Sequence, residues 1–86
     1  MYKLGLTQRA RKDIDDLPET MWPRVRAAIS DLRNNPRPAK CKKLKGQIST
    51  YRIRVGDYRA LYDVDDTTST VVVLRVQHRR DAYRDM

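Results

Sequence analysis

The segment Tyr51-Arg52-Ile53-Arg54-Val55-Gly56-Asp57-Tyr58-Arg59-Ala60-Leu61-Tyr62 constrains this chain more than any other. Two alternating runs flank Gly56-Asp57, and a Gly-X pair suits a two-residue β-hairpin turn. Such a turn sets the register. Val55 lies opposite Tyr58, Arg54 opposite Arg59, Ile53 opposite Ala60, Arg52 opposite Leu61, and Tyr51 opposite Tyr62. Side chains alternate along a strand, so Arg52, Arg54, Arg59 and Leu61 share one face. Tyr51, Ile53, Val55, Tyr58, Ala60 and Tyr62 share the other, which reads as a core face. The first face gathers three guanidinium groups, two of them directly opposed. Like charges opposed across a sheet destabilise it. A cluster that works against folding points to an anionic partner.

The chain of 86 residues, with net charge +8 and pI near 10.1, is expected to form a single domain over residues 1–86. That charge suits nucleic acid, an anionic membrane surface or an acidic protein. The excess lies between residues 37 and 59, where Asp57 is the sole acid. No apolar run approaches the ~20 residues of a membrane span. Met1-Tyr2-Lys3-Leu4-Gly5 lacks a signal-peptide core. A cytoplasmic protein with no membrane partner is expected. Cys41 has no cysteine to pair with, and reads as an incidental thiol despite its neighbours Lys40, Lys42 and Lys43. One cysteine and one histidine argue against structural zinc, and no metal or cofactor is expected.

Tyr2 to Leu6 alternates as a short strand. Thr7 is a good N-cap for a helix over about residues 8–17, with Ala10, Ile14 and Leu17 along one stripe. Leu17-Pro18 ends it, since a residue before proline avoids the α region. Met21, Trp22, Val25, Ala28, Ile29 and Leu32 mark a second helix, with Thr20 as a possible cap and Pro23 in its first turn. Trp22 is expected in the core against the first helix. A basic connector covers residues 36–50. Strands follow at about 51–55, 58–64 and 70–77. Val71-Val72-Val73-Leu74 is apolar on both faces, which suits a central strand. Counting by twos from Val71 and Val73 through Arg75 and Gln77 brings Arg79 toward the arginine face. The order β-α-α-β-β-β implies an α+β fold: a helical hairpin on one face of a mostly antiparallel four-stranded sheet.

In size and element order this chain resembles the RelE/ParE superfamily of type II toxin–antitoxin toxins. The local patterns that carry the resemblance are Leu17-Pro18, Lys43-Leu44-Lys45-Gly46, Gly56-Asp57-Tyr58-Arg59-Ala60-Leu61-Tyr62, and Val76-Gln77-His78-Arg79-Arg80-Asp81-Ala82-Tyr83-Arg84. RelE-like members cleave mRNA in the ribosomal A site, ParE-like members inhibit DNA gyrase, and both are neutralised by a cognate antitoxin. The resemblance implies phosphate-binding or catalytic roles for Arg52, Arg54, Arg59, Arg79 and Tyr83. This set favours the RelE branch, with a ParE-like gyrase inhibitor as the alternative. Lys43, Lys45, Arg75 and Arg80 are expected to contact RNA.

Arginine grips phosphate oxygens bidentately and stays charged. It is a poor general base, so no proton transfer is assigned to Arg52 or Arg54, where the best-known RelE pattern has lysines. Histidine is the side-chain type best suited to move protons near neutral pH, so His78, together with Tyr83, is the expected proton carrier. Expected partners are mRNA, the ribosome and an acidic, partly disordered antitoxin segment. Operator DNA would be bound only through the antitoxin.

Overall fold

A computed structural model describes residues 1–80. Their elements are β1 (Lys3–Leu6), α1 (Gln8–Asp15), α2 (Trp22–Asp31), β2 (Lys42–Lys43), β3 (Thr50–Val55), β4 (Tyr58–Asp65) and β5 (Thr70–His78). The strands form one sheet in the order β1-β5-β4-β3-β2. β1 runs parallel to β5, and the other neighbours pair antiparallel. The α+β class and the central place of the last long strand are as expected. The sheet has five strands rather than four. The extra one is the two-residue β2, whose Lys42 and Lys43 pair with Arg52 and Tyr51; a strand that short leaves no alternation to read.

Local chemistry explains the helix ends. Thr7 Oγ1 accepts the Ala10 N–H at 3.1 Å and donates to the Leu74 carbonyl at 2.8 Å. The cap therefore also pins α1 to β5. α1 stops at Asp15, and the Leu17 N–H closes the end on the Ile14 carbonyl. Pro23 lies in the first turn of α2 as expected, where its missing N–H is harmless. The N-cap is Met21 rather than Thr20, and it makes no side-chain capping bond.

The helices cover one face of the sheet. Ala10, Val25, Ile29 and Leu32 pack with Ile53, Ala60, Tyr62, Val64, Val71, Val73 and Val76. Trp22 is not among them. It is 42% exposed and lies under the Arg26 guanidinium, 5.0 Å from its ring centre. Tyr62 is fully buried, stacks on Tyr51 at 5.9 Å and donates to the Pro36 carbonyl at 2.8 Å. These contacts hold the start of the connector against the sheet. Arg37 adds to them by gripping Asp66 with two nitrogens, at 2.8 and 3.3 Å, and holds that carboxyl below the usual carboxylate range.

The hairpin pairs in the expected register, from Tyr51 opposite Tyr62 to Val55 opposite Tyr58. Gly56 has φ +60°, and a Cβ there would stand 3.1 Å from Met21 Cε and 3.4 Å from Arg24 Nη1. The turn needs glycine for its backbone and for the close approach of α2.

One irregularity controls the rest. Leu61 pairs with Arg75, but Tyr62 pairs with Val73, so Leu74 is an extra residue in β5. Such a bulge reverses the alternation beyond it. Val71 and Val73, both fully buried, face the helices, while Arg75 and Gln77 lie across from Leu61 and Arg59 on the opposite face. Counting by twos from Val71 is therefore wrong, although it brings Arg75 and Gln77 to the expected face. Asp13 of α1 anchors the bulge. Its Oδ2 accepts from Arg75 Nε and from the Val76 N–H, each at 2.9 Å. No helix among the described residues is long and apolar enough to cross a membrane.

Candidate nucleic-acid interface

β2 pairs with only two residues of β3, so β3 runs on past it to Val55. An open-sided cavity of about 920 Å³ lies along this stretch. Arg52, Arg54 and Arg59 line it from the sheet, and Arg24 and Asp31 line it from α2. All three hairpin arginines line it although they lie on the face away from the helices, so the cavity wraps the edge of β3 that β2 leaves open. Arg54 stands directly opposite Arg59. Arg59 is only 6% exposed, Arg52 is half-buried and Arg54 is exposed. Among the described residues, the side chains of Arg52 and Arg54 make no hydrogen bond or ion pair. Two guanidiniums without a partner among the described residues, beside a buried third, favour an anionic ligand. A guanidinium fork matches the oxygens of a phosphate bidentately, so the arrangement suits a phosphate-bearing ligand.

The other expected site residues are placed less uniformly. Lys43 in β2 and Lys45 in the following turn are exposed on the connector. Arg75 shares the arginine face by register, but its guanidinium is held by Asp13. Gln77, 5% exposed, stands across from Arg59. Arg79 and Arg80 are exposed, and the Arg79 N–H bonds the Asp57 carbonyl at 2.7 Å, which draws the end of β5 to the hairpin turn. Tyr83 lies outside the described residues.

His78 is not brought to the arginines. It pairs with Tyr58, one residue out of phase with Arg59 and Gln77, and therefore belongs to the face of Tyr58 and Ala60. Its ring meets Tyr58 edge-on at 5.2 Å, and Nδ1 accepts the Arg80 N–H at 3.3 Å. His78→Gln is expected to slow RNA cleavage in a translating extract by less than about tenfold, against the 10²–10⁴-fold that a proton carrier contributes. A larger loss would return His78 to the site.

Lys40 and Lys42, connector lysines of the type expected to meet phosphate, line the same cavity, and so does Arg24, which sequence patterns did not single out. For Arg24 the only prior signal was its place on the polar side of an amphipathic helix, which most surface arginines share.

A helical pair on one side of a mixed sheet, with an arginine-lined cavity at the hairpin, defines a class of small toxin. The chain belongs to the RelE/ParE superfamily of type II toxin–antitoxin toxins: residues 4–83 match the family described as the ParE toxin of type II toxin–antitoxin systems, parDE. Toxin RelG of Mycobacterium tuberculosis is 40% identical over 89 residues, covering 96% of this chain and 97% of that protein. The archaeal RelE–RelB complex from Pyrococcus horikoshii matches with a TM-score of 0.80 at 26% identity, over 91% of this chain and 94% of that one. The intact RelBE toxin–antitoxin complex of Escherichia coli matches with a TM-score of 0.79 at 28% identity, over 91% and 96%.

Proposed function

We propose that this toxin is a ribosome-dependent mRNA endoribonuclease. The observation that carries the reading is the convergence of Arg52, Arg54 and Arg59 on one cavity. The RelE and RelG names of its relatives agree with it. In the reaction the ribose 2′-oxygen bonds to the adjacent phosphorus, the bond from phosphorus to the 5′-oxygen breaks, and a 2′,3′-cyclic phosphate remains. The 2′-hydroxyl loses a proton and the leaving 5′-oxygen gains one. Arg54 and Arg59 hold the strand and neutralise the extra charge on phosphorus. Arg52 and Arg79 add positive field. Tyr83, which the resemblance puts at the site, is assigned a proton on the chemistry of its phenol. The ribosome positions the message, which suits a protein with few acid–base groups of its own. The working compartment is the cytoplasm, where translated mRNA lies. The neutralising partner is an antitoxin whose acidic segment orders over the cationic face.

A second reading has one observation in its favour: the matching family is described by its ParE toxin. On that reading the chain binds DNA gyrase and cleaves nothing. Induction in bacteria with isotope incorporation separates the two. A fall in protein synthesis with cuts in translated mRNA is the expected result. Arrested DNA replication with an SOS response would overturn it in favour of gyrase.

A further inference from the structure

The arginine cavity continues beyond the hairpin. Its far wall is α2, which contributes Arg24, Ala28 and Asp31, and its end is formed by Lys40 and Lys42 of the connector. Arg24 is held at the hairpin turn, because Gly56 leaves room for its guanidinium; a Cβ there would be 3.4 Å from Nη1 and 3.7 Å from Cζ. Among the described residues, the hydrogen bond it makes is a weak one to Met21 Sδ at 3.8 Å. Most of its donors are therefore unspent. Lys40 and Lys42 make no ion pair among the described residues. Ile53, Val55 and Ala28 give the same cavity an apolar floor. Among the described residues, Asp31 is the one acid lining the cavity.

We propose that Arg24, Lys40 and Lys42 form a second phosphate site, which extends the hairpin arginines into a track for a single nucleic-acid strand. The proposal deepens the phosphate-binding reading of Arg54 and Arg59 and rests on it. The volume is that of a pocket for a nucleotide-sized ligand, roughly 300–1,000 Å³. One phosphate sits on the hairpin arginines, and a neighbouring phosphate reaches Arg24 and the connector lysines. The base between them lies on the apolar floor, as single-strand binders pair a cationic groove with a surface for bases. Asp31 opposes this occupant, which provides a test of opposite sign.

The experiment uses all-2′-deoxy oligonucleotides, which cannot be cleaved, and measures binding to the full chain by fluorescence anisotropy across a salt series. A pentanucleotide offers several phosphates, whereas a dinucleoside monophosphate offers one. Arg24→Glu is expected to weaken the pentanucleotide about tenfold and to lower its salt slope by about 0.7 per lost contact, with dinucleotide binding kept within about twofold. Asp31→Asn is expected to tighten the pentanucleotide about threefold. Because the two variants move in opposite directions, a folding defect cannot mimic the pair. Unchanged affinity in both variants overturns the track. Equal weakening of both ligands by Arg24→Glu also overturns it, as does binding of an acidic peptide but no oligonucleotide. The readout involves no cleavage. Opposite shifts in a chain that cuts no mRNA would keep the track and discard the nuclease. Cleavage without those shifts would do the reverse.

Discussion

Arg54→Ala is expected to cut cleavage of translated mRNA by about 10²-fold while leaving the protein as stable as the parent, or up to about 1 kcal/mol more stable. The two halves of this result share one cause. Arg54 stands directly across from Arg59, and among the described residues its guanidinium has no partner. In the unliganded protein it sets a second cation directly across the strands from Arg59. With a phosphate between the pair, the same two charges become the clamp, and their attraction grows as the phosphorane forms. A residue kept against stability is the usual mark of a functional site. Arg54→Lys should recover part of the rate, because it keeps the charge and loses the planar fork. Cut positions in a translating extract give the rate, and a thermal melt gives the stability. Parent-level cleavage by Arg54→Ala would reduce the arginine face to a solubilising surface. A large drop in melting temperature would mean that Arg54 is structural, and the loss of activity would then say nothing about phosphate.

The hairpin was legible from sequence down to single pairs because a two-residue turn leaves one register. Both chemically sorted faces followed from that register. β5 was not legible in the same way. Leu74 is an apolar residue inside the run from Val71 to Val76, and nothing local marks it as the one that drops out of the alternation. The bulge depends on Asp13, which lies far away along the chain, and only tertiary structure brings it there. His78 suits catalysis by residue type, but strand pairing sets it out of phase with Arg59. The exposure of Trp22 and the place of Arg24 at the cavity were hidden for one reason. A helical stripe says which residues could be inward, but the packing of α2 on the Gly56 turn decides which cation meets the cavity.

Asp13→Ala is expected to lower the unfolding free energy by about 2–3 kcal/mol. The Asp13 and Arg75 side chains are 17% and 25% exposed, so solvent screens their ion pair little. Truncation takes the carboxylate away from the Arg75 guanidinium and leaves the Val76 N–H without its acceptor, at the one place where β5 departs from regular pairing. For a domain of this size the melting temperature should fall by roughly 10–20 °C. Asp13→Asn should cost about half as much, because an amide oxygen still accepts the Val76 N–H although the ion pair is lost. A functional effect should accompany the loss of stability. The bulge decides that Gln77 faces with Arg59 and that the chain leaves β5 at the hairpin turn, where the Arg79 N–H meets the Asp57 carbonyl. If β5 pairs without the bulge, Arg75 and Gln77 turn to the helix side, since a one-residue slip exchanges the faces of a strand. Cleavage by Asp13→Ala should therefore fall even well below its melting temperature, where the chain is folded. Asp13→Asn, which retains the acceptor at the bulge, should restore most of the rate. Full activity of folded Asp13→Ala would show that the arginine face assembles without its anchor, and the bulge would then matter to stability alone.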